Sequence, residues 1–250
     1  MEKQRAILDL ASYKVPYFVD VCCSNLRTRF LEEDGLFRIS PSLTYLEIAV
    51  DDIEHSDDIG RSYLTRCTLE DRPQLKPHVY AGLLKKFLRD MPSPLLGSEN
   101  YHQWIGLMSR ETCPQVSEVR QLILALPRDY YNLLECIMGL ALETSQHQEK
   151  NRMSTDNLAT VIGPNILWDH SITDPFLSGQ HIGLINKITG FLLTHFESIF
   201  LTSATTSTEE GATRTLASED LSVHDKATRP AAVDIPEATP LQEESPSDPL

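Results

Sequence analysis

The chain has 250 residues, 22 of them basic and 36 acidic, and a formal net charge of −14. That length is ample for a hydrophobic core, and 41% hydrophobic with 23% charged residues is ordinary for a soluble globular protein. The acidic balance argues against binding nucleic acid or an anionic membrane through net charge. No apolar run approaches the roughly 18 residues of a membrane span, and the amino terminus has no basic region followed by an apolar stretch, so no signal peptide is expected.

In chain order, the apolar residues recur at helical spacing. Val19, Cys22, Leu26 and Phe30 follow Pro16, which suits a first helical turn. Weaker patterns lie at Leu43–Val50, Tyr101–Ser109 and Val116–Ala125. Pro77 opens a segment with Val79, Leu83 and Phe87 on one stripe, stopped by Pro92 and Pro94, and Pro127 begins another that carries Tyr131, Leu134, Met138 and Leu142. Ser154 is placed to cap the run Leu158–Val161–Ile162, which Gly163-Pro164 should terminate. The last pattern is Ile182, Ile185, Ile188, Leu192 and Ile199. About eight helices result, no stretch alternates long enough to propose a sheet, and no internal repeat is visible. The expected class is all-α: one helical-bundle domain over residues 1–201 and a tail.

That tail, residues 202–250, contains no Phe, Trp or Tyr; 14 of its 49 residues are Ser or Thr and five are Pro. Ten acidic and three basic residues give it half of the chain's net negative charge. Such a segment buries too little apolar area to offset its ordering entropy, so disorder is expected. Its proline-containing pieces, around Pro230, Pro236 and Pro246, are candidate peptide ligands or phosphorylation sites, against the simpler reading of a solvated tail.

Five cysteines (Cys22, Cys23, Cys67, Cys113 and Cys136) are irregularly spaced, with no C-x-x-C pair and no zinc-finger grouping with histidine. Cys22 and Cys23 read as small core residues, and a reducing, cytoplasmic location is expected. Enzyme signatures are mostly absent: there is no Gly-rich phosphate loop, G-x-S-x-G, H-E-x-x-H or EF-hand pattern. On local motifs alone, a self-contained enzyme is not supported.

Three polar insertions in apolar surroundings remain. In Gly35-Leu36-Phe37-Arg38-Ile39-Ser40 an arginine interrupts a hydrophobic run, after the acidic Glu32-Glu33-Asp34 and before Pro41, which places Arg38 in a loop. In the segment Leu83 to Asp90, Lys85 and Arg89 are four apart and share a helix face. The third is Asn157-Leu158-Ala159 followed by Gly163-Pro164-Asn165, which puts an amide at a helix end. A lone basic residue is more commonly solvated or salt-bridged, and spacing alone does not lift these residues above that role.

Together, in this order, the three segments resemble the Rho-family GTPase-activating (RhoGAP) domain. Residues 35–40 are similar to its arginine-finger loop, Pro77 to Leu95 to its central helix and proline-rich stop, and Asn151-Arg152-Met153 through Asn165-Ile166-Leu167 to its third block. The resemblance covers about Val15 to Phe200 and leans, through Asn165-Ile166-Leu167-Trp168 and the helix around Lys85, towards the subgroup that carries a BAR domain upstream. It implies a GTPase activator in which Arg38 is the catalytic finger, and Lys85, Arg89 and Asn165 support the loop and meet the GTPase. The partner would be a GTP-bound Rho-family protein, recruited in the cytoplasm or at membrane surfaces; GTP and magnesium would belong to that partner, and this chain would have no independent active site. The alternative is a module that only binds GTP-loaded partners.

The residues also leave structural roles open. Lys85 and Arg89 can pair with carboxylates such as Asp90 or those of Glu32–Asp34, and Asn165 can cap or end a helix. One departure from the family pattern is Pro41, where glycine is usual; it should stiffen the loop and push Ser40 towards extended backbone. The polar, acidic stretch Asp51 to Arg72 aligns poorly, so the choice of GTPase is not legible.

Overall fold

Four of the helices begin at a proline, because its fixed φ and missing N–H cost nothing in a first turn. The structure, a computed structural model, describes residues 14–55 and 76–201. Pro16 precedes α1 (Tyr17–Arg29), Pro77 opens α3 (Pro77–Arg89), Pro127 precedes α6 (Arg128–Gln146) and Pro175 opens α9 (Pro175–Thr194). Between them lie α2 (Leu43–Glu54), α4 (Tyr101–Met108), α5 (Val116–Leu124), the single turn α7 (Gln148–Asn151) and α8 (Thr155–Ile166), and a π-helical turn spans Glu197–Leu201. No strand occurs among the described residues, so the all-α expectation holds. The proposed tail, Cys67 and most of the Asp51–Arg72 stretch lie outside the described residues.

Side-chain caps secure several of these starts. Asp174 Oδ1 accepts the Phe176 N–H at 2.9 Å, and Ser154 Oγ accepts the Asn157 N–H at 3.3 Å, as its position predicts. Gln115 and Glu118 form a capping box at α5, with the Gln115 N–H donating to Glu118 Oε2 at 2.9 Å.

The core is built from the predicted stripes. Val19, Cys22 and Leu26 of α1, Val79 and Leu83 of α3, Leu134 and Met138 of α6, and Ile188 and Leu192 of α9 are all buried. Trp104 of α4 is fully buried, and its indole N–H donates to the Leu96 carbonyl at 3.1 Å. Helix α3 is central: it packs against α1, α2 and α8, while α8 also packs along α9 and α6.

Ile182, the first residue of the last apolar pattern, is 44% exposed, while Ile185, Ile188 and Leu192 further along α9 are buried. One expectation needs correction. Gly163-Pro164 does not end α8, which runs on to Ile166. Gly163 permits close approach of α9, since a Cβ there would lie 2.8 Å from Thr189 Oγ1. Pro164 takes away the N–H that would bond the Thr160 carbonyl, and beside it the Asn165 side-chain amide donates to the next carbonyl, that of Val161, at 2.8 Å.

Candidate functional site

Arg38 sits in the connection that leaves α1. Helix α1 stops at Phe30, and the chain then folds through successive turns in which the N–H groups of Glu33, Leu36 and Arg38 donate to the carbonyls of Phe30, Glu33 and Gly35. Gly35 has φ +64°, and an added Cβ would meet the Ile39 side chain at 2.7 Å, so a larger residue fits neither the dihedral nor the space. Leu36 and Phe37 turn inward and are buried. Phe37 has φ +68°, a left-handed conformation that costs a non-glycine residue about 1–3 kcal/mol and persists only when its surroundings enforce it. Burial of the Phe37 ring supplies that enforcement, and the next residue, Arg38, is thereby turned outward with its side chain 47% exposed.

Two contacts from elsewhere in the chain fasten this loop. The first is Asn151, fully buried at the end of α7. Its carbonyl accepts the Gly35 N–H at 2.8 Å, and its amide donates to the carbonyls of Leu31 and Thr144, each at 2.7 Å. The second is Lys85 of α3, whose ammonium donates to the Phe37 carbonyl at 2.6 Å. Burial, with Arg89 nearby, lowers the Lys85 pKa.

The acidic triplet before Gly35 pairs in three directions. Glu32 meets Lys150 at 2.7 Å and His147 at 3.6 Å, and Lys150, with a smaller share from His147, holds its carboxyl below the usual range. Glu33 lies 3.6 Å from His78 at the start of α3. Asp34 Oδ1 lies 3.8 Å from Arg38 and 3.6 Å from Arg152, so one carboxylate is shared by two exposed guanidinium groups.

Pro41 follows on the far side of the loop and seats on α3 at Gly82. A Cβ on Gly82 would lie 2.7 Å from Pro41 Cγ, so glycine there is what lets the proline ring rest on the helix backbone.

The four residues singled out from the sequence therefore have different settings. Lys85 and the Arg38 loop are joined directly, through Phe37. Arg89, one turn further along α3, is exposed and lines a groove of about 700 Å³ with Leu43, Glu47 and Asp51 of α2. It is Lys86, not Lys85, that pairs with Asp90, at 2.5 Å. Asn165 is buried, and its amide bonds to carbonyls of its own helix rather than to the loop. Asn151, Asp34 and Phe37 were not legible as site residues. Asn151 reaches Leu31 across 120 positions of sequence, and no local pattern announces such a contact. Among the described residues, no His, Cys, Asp and Glu group is suited to a metal, and no helix is long and apolar enough to cross a membrane.

The chain resembles known proteins in sequence and in fold. Residues 16–171 match the RhoGAP domain. The chain is 33% identical over 200 residues to Rho GTPase-activating protein 22 of Mus musculus, covering 79% of this chain and 26% of that protein. It is 34% identical over 186 residues to Rho GTPase-activating protein 1 of Homo sapiens, covering 74% of this chain and 39% of that one. The chain thus spans well under half the length of these relatives. Among solved structures, human Rho GTPase activating protein 15 superimposes with a TM-score of 0.65 at 24% identity, covering 78% of this chain and 89% of that one. The BH domain of GRAF, the GTPase regulator associated with focal adhesion kinase, gives a TM-score of 0.62 over 74% and 93% of the two chains. With the family match spanning more than half of the sequence and the helical fold shared, this chain belongs to the RhoGAP domain family.

Proposed function

We propose that this chain accelerates GTP hydrolysis by a Rho-family small GTPase, with Arg38 inserted into the partner's active site as an arginine finger. The observation that carries the reading is the pairing of a half-exposed guanidinium with a backbone held from behind. Phe37, immediately before Arg38, is buried, and its carbonyl is bonded to Lys85. The side chain is free to leave the domain, while its Cα is not free to wander.

Phosphoryl transfer spreads negative charge over the equatorial oxygens and the leaving oxygen, and a small GTPase alone compensates it incompletely. A guanidinium delivered at that point neutralises the charge and displaces water, an effect worth about 10³ to 10⁵ in rate for arginine fingers generally. To do so Arg38 must leave Asp34. The distance of 3.8 Å and the exposure of both groups make that ion pair weak, so little is lost on release. Lys85 acts by positioning, Arg89 by attracting an acidic partner surface, and nucleotide and magnesium reside on the GTPase.

The test is phosphate release from a panel of GTP-loaded Rho-family proteins, with and without this chain, alongside binding to each partner loaded with a non-hydrolysable analogue. Stimulation of at least one partner is expected. Binding of the analogue-loaded form without stimulation of any partner would replace this reading with that of a silent binding module.

A further inference from the structure

We infer that Cys23 and Cys136 form a thiol-oxidation site that reacts with hydroperoxides to give an intramolecular disulfide between α1 and α6. The two sulfurs, 113 positions apart in sequence, lie 3.7 Å from each other. A disulfide needs about 2.05 Å, a closure of a size that χ1 rotation of the two side chains can supply. Cys23 is fully buried, whereas Cys136 is only partly covered, so a small oxidant meets Cys136 first.

The surroundings suit that order of events. Arg27, one turn after Cys23 on α1, donates to the Cys136 carbonyl at 3.3 Å and to Glu143 Oε2 at 2.8 Å. Its guanidinium passes over Gly139, where an added Cβ would lie 3.4 Å from Nη2. The neighbouring Cys23 thiol, and then Arg27, stabilise the Cys136 thiolate and bring its pKa below the ordinary thiol value. Cys23 and Cys22 are shifted the other way, Cys22 by burial alone, so Cys136 is the attacking sulfur and Cys23 the resolving one.

The chemistry balances with hydrogen peroxide as the oxidant. The Cys136 thiolate attacks one peroxide oxygen, the O–O bond breaks, and the departing hydroxide takes a proton to leave as water, giving a sulfenic acid. The Cys23 sulfur then attacks the Cys136 sulfur, the S–O bond breaks, and the Cys23 proton leaves with the hydroxyl as a second water. Two thiols are oxidised by two electrons in all, and one peroxide is reduced to two waters. The product staples α1 to α6 beside the Arg27–Glu143 ion pair, less than two turns before α1 ends.

The experiment treats the full chain with dilute hydrogen peroxide while circular dichroism confirms that it stays folded, then maps disulfides by mass spectrometry without reduction. The expected result is a Cys23–Cys136 link that persists in Cys22→Ser and Cys113→Ser, disappears in Cys136→Ser and is reversed by dithiothreitol. In Cys23→Ala, which also removes the thiol that stabilises the Cys136 thiolate, oxidation should be slower and should stop at Cys136 sulfenic acid, trapped with dimedone. Arg27→Gln should slow the link by about three- to tenfold. If Cys113 is oxidised while Cys136 stays reduced, or if Cys136 links to Cys22 instead, the assignment is overturned. None of these readouts depends on a GTPase, so the inference stands or falls separately from the proposed activity.

Discussion

The Lys85 ammonium lies 2.6 Å from the carbonyl oxygen of Phe37, the residue immediately before Arg38. A cation on α3 thus anchors the backbone from which the proposed finger projects. Four residues later Arg89 faces solvent from the same helix, so two cations at helical spacing divide into an internal support and an external one.

That division gives distinguishable outcomes. Lys85→Met removes a charged donor from a buried carbonyl and should cost about 1–3 kcal/mol in urea unfolding, together with a fall in GTPase stimulation. Arg89→Ala should leave stability within about 0.5 kcal/mol while weakening association with the GTPase and flattening its salt dependence. An equal loss of stability in both variants would refute the division.

Arg38→Ala should lower single-turnover stimulation by about 10² to 10⁴-fold while partner binding stays within roughly tenfold, because its interaction develops in the transition state. Arg38→Lys should recover little, since lysine lacks the planar fork that donates to phosphate and a neighbouring carbonyl together. The exposed 3.8 Å contact with Asp34 predicts an unchanged thermal transition for both variants. Full stimulation by Arg38→Ala would remove the finger assignment.

Asn151→Ala deletes the side-chain bonds that join Leu31, Thr144 and Met153. Two carbonyls and an N–H are left short of partners in a buried site, so a loss of about 2–5 kcal/mol is expected in denaturant unfolding. Hydrogen exchange should quicken at Gly35, whose N–H bonds to the Asn151 carbonyl. A change below 1 kcal/mol (about the net value of a single bond) would show that the loop is held by other means.

Gly82→Ala sets a methyl group 2.7 Å from the Pro41 ring. The expected cost is about 1–3 kcal/mol, typical of overpacking, and Pro41→Gly in the same chain should relieve most of it. The double-mutant cycle is the readout: additive effects would mean that the proline does not seat there.

Truncation after Leu201 should preserve both the thermal transition and the stimulation of the full chain, as the composition of residues 202–250 implies. Truncation after Thr194 should destabilise it, because Ile199 and Phe200 are buried and the Tyr131 hydroxyl donates to the Phe200 carbonyl at 3.2 Å. Loss of activity with the shorter cut at Leu201 would place part of the tail in the domain's function.

The helices were legible because their signals are local. A proline before a periodic apolar run, a serine or aspartate at a cap and a stripe such as Val19, Cys22 and Leu26 each act within a few residues. Local rules misplaced the end of α8, which runs past Pro164 to Ile166 where Gly163 lets α9 pack closely against it. They also put Ile182 on the apolar stripe of α9, where it stays exposed, since periodicity gives a face and not the length over which that face is covered.

The sequence by itself determined the all-helical class, the family resemblance and the candidates Arg38, Lys85, Arg89 and Asn165. Only the tertiary structure decided what each side chain is committed to. Lys85 and Arg89 are both basic and share a helix face, yet one is drawn to a buried carbonyl and the other lines an open groove. Asn165 and Asn151 have identical side chains, but the first bonds within its own helix and the second joins segments 120 positions apart. The physical reason is that a hydrogen bond depends on donor and acceptor meeting within about 3 Å in a suitable direction. Between residues far apart in sequence, that meeting is set by how the helices pack.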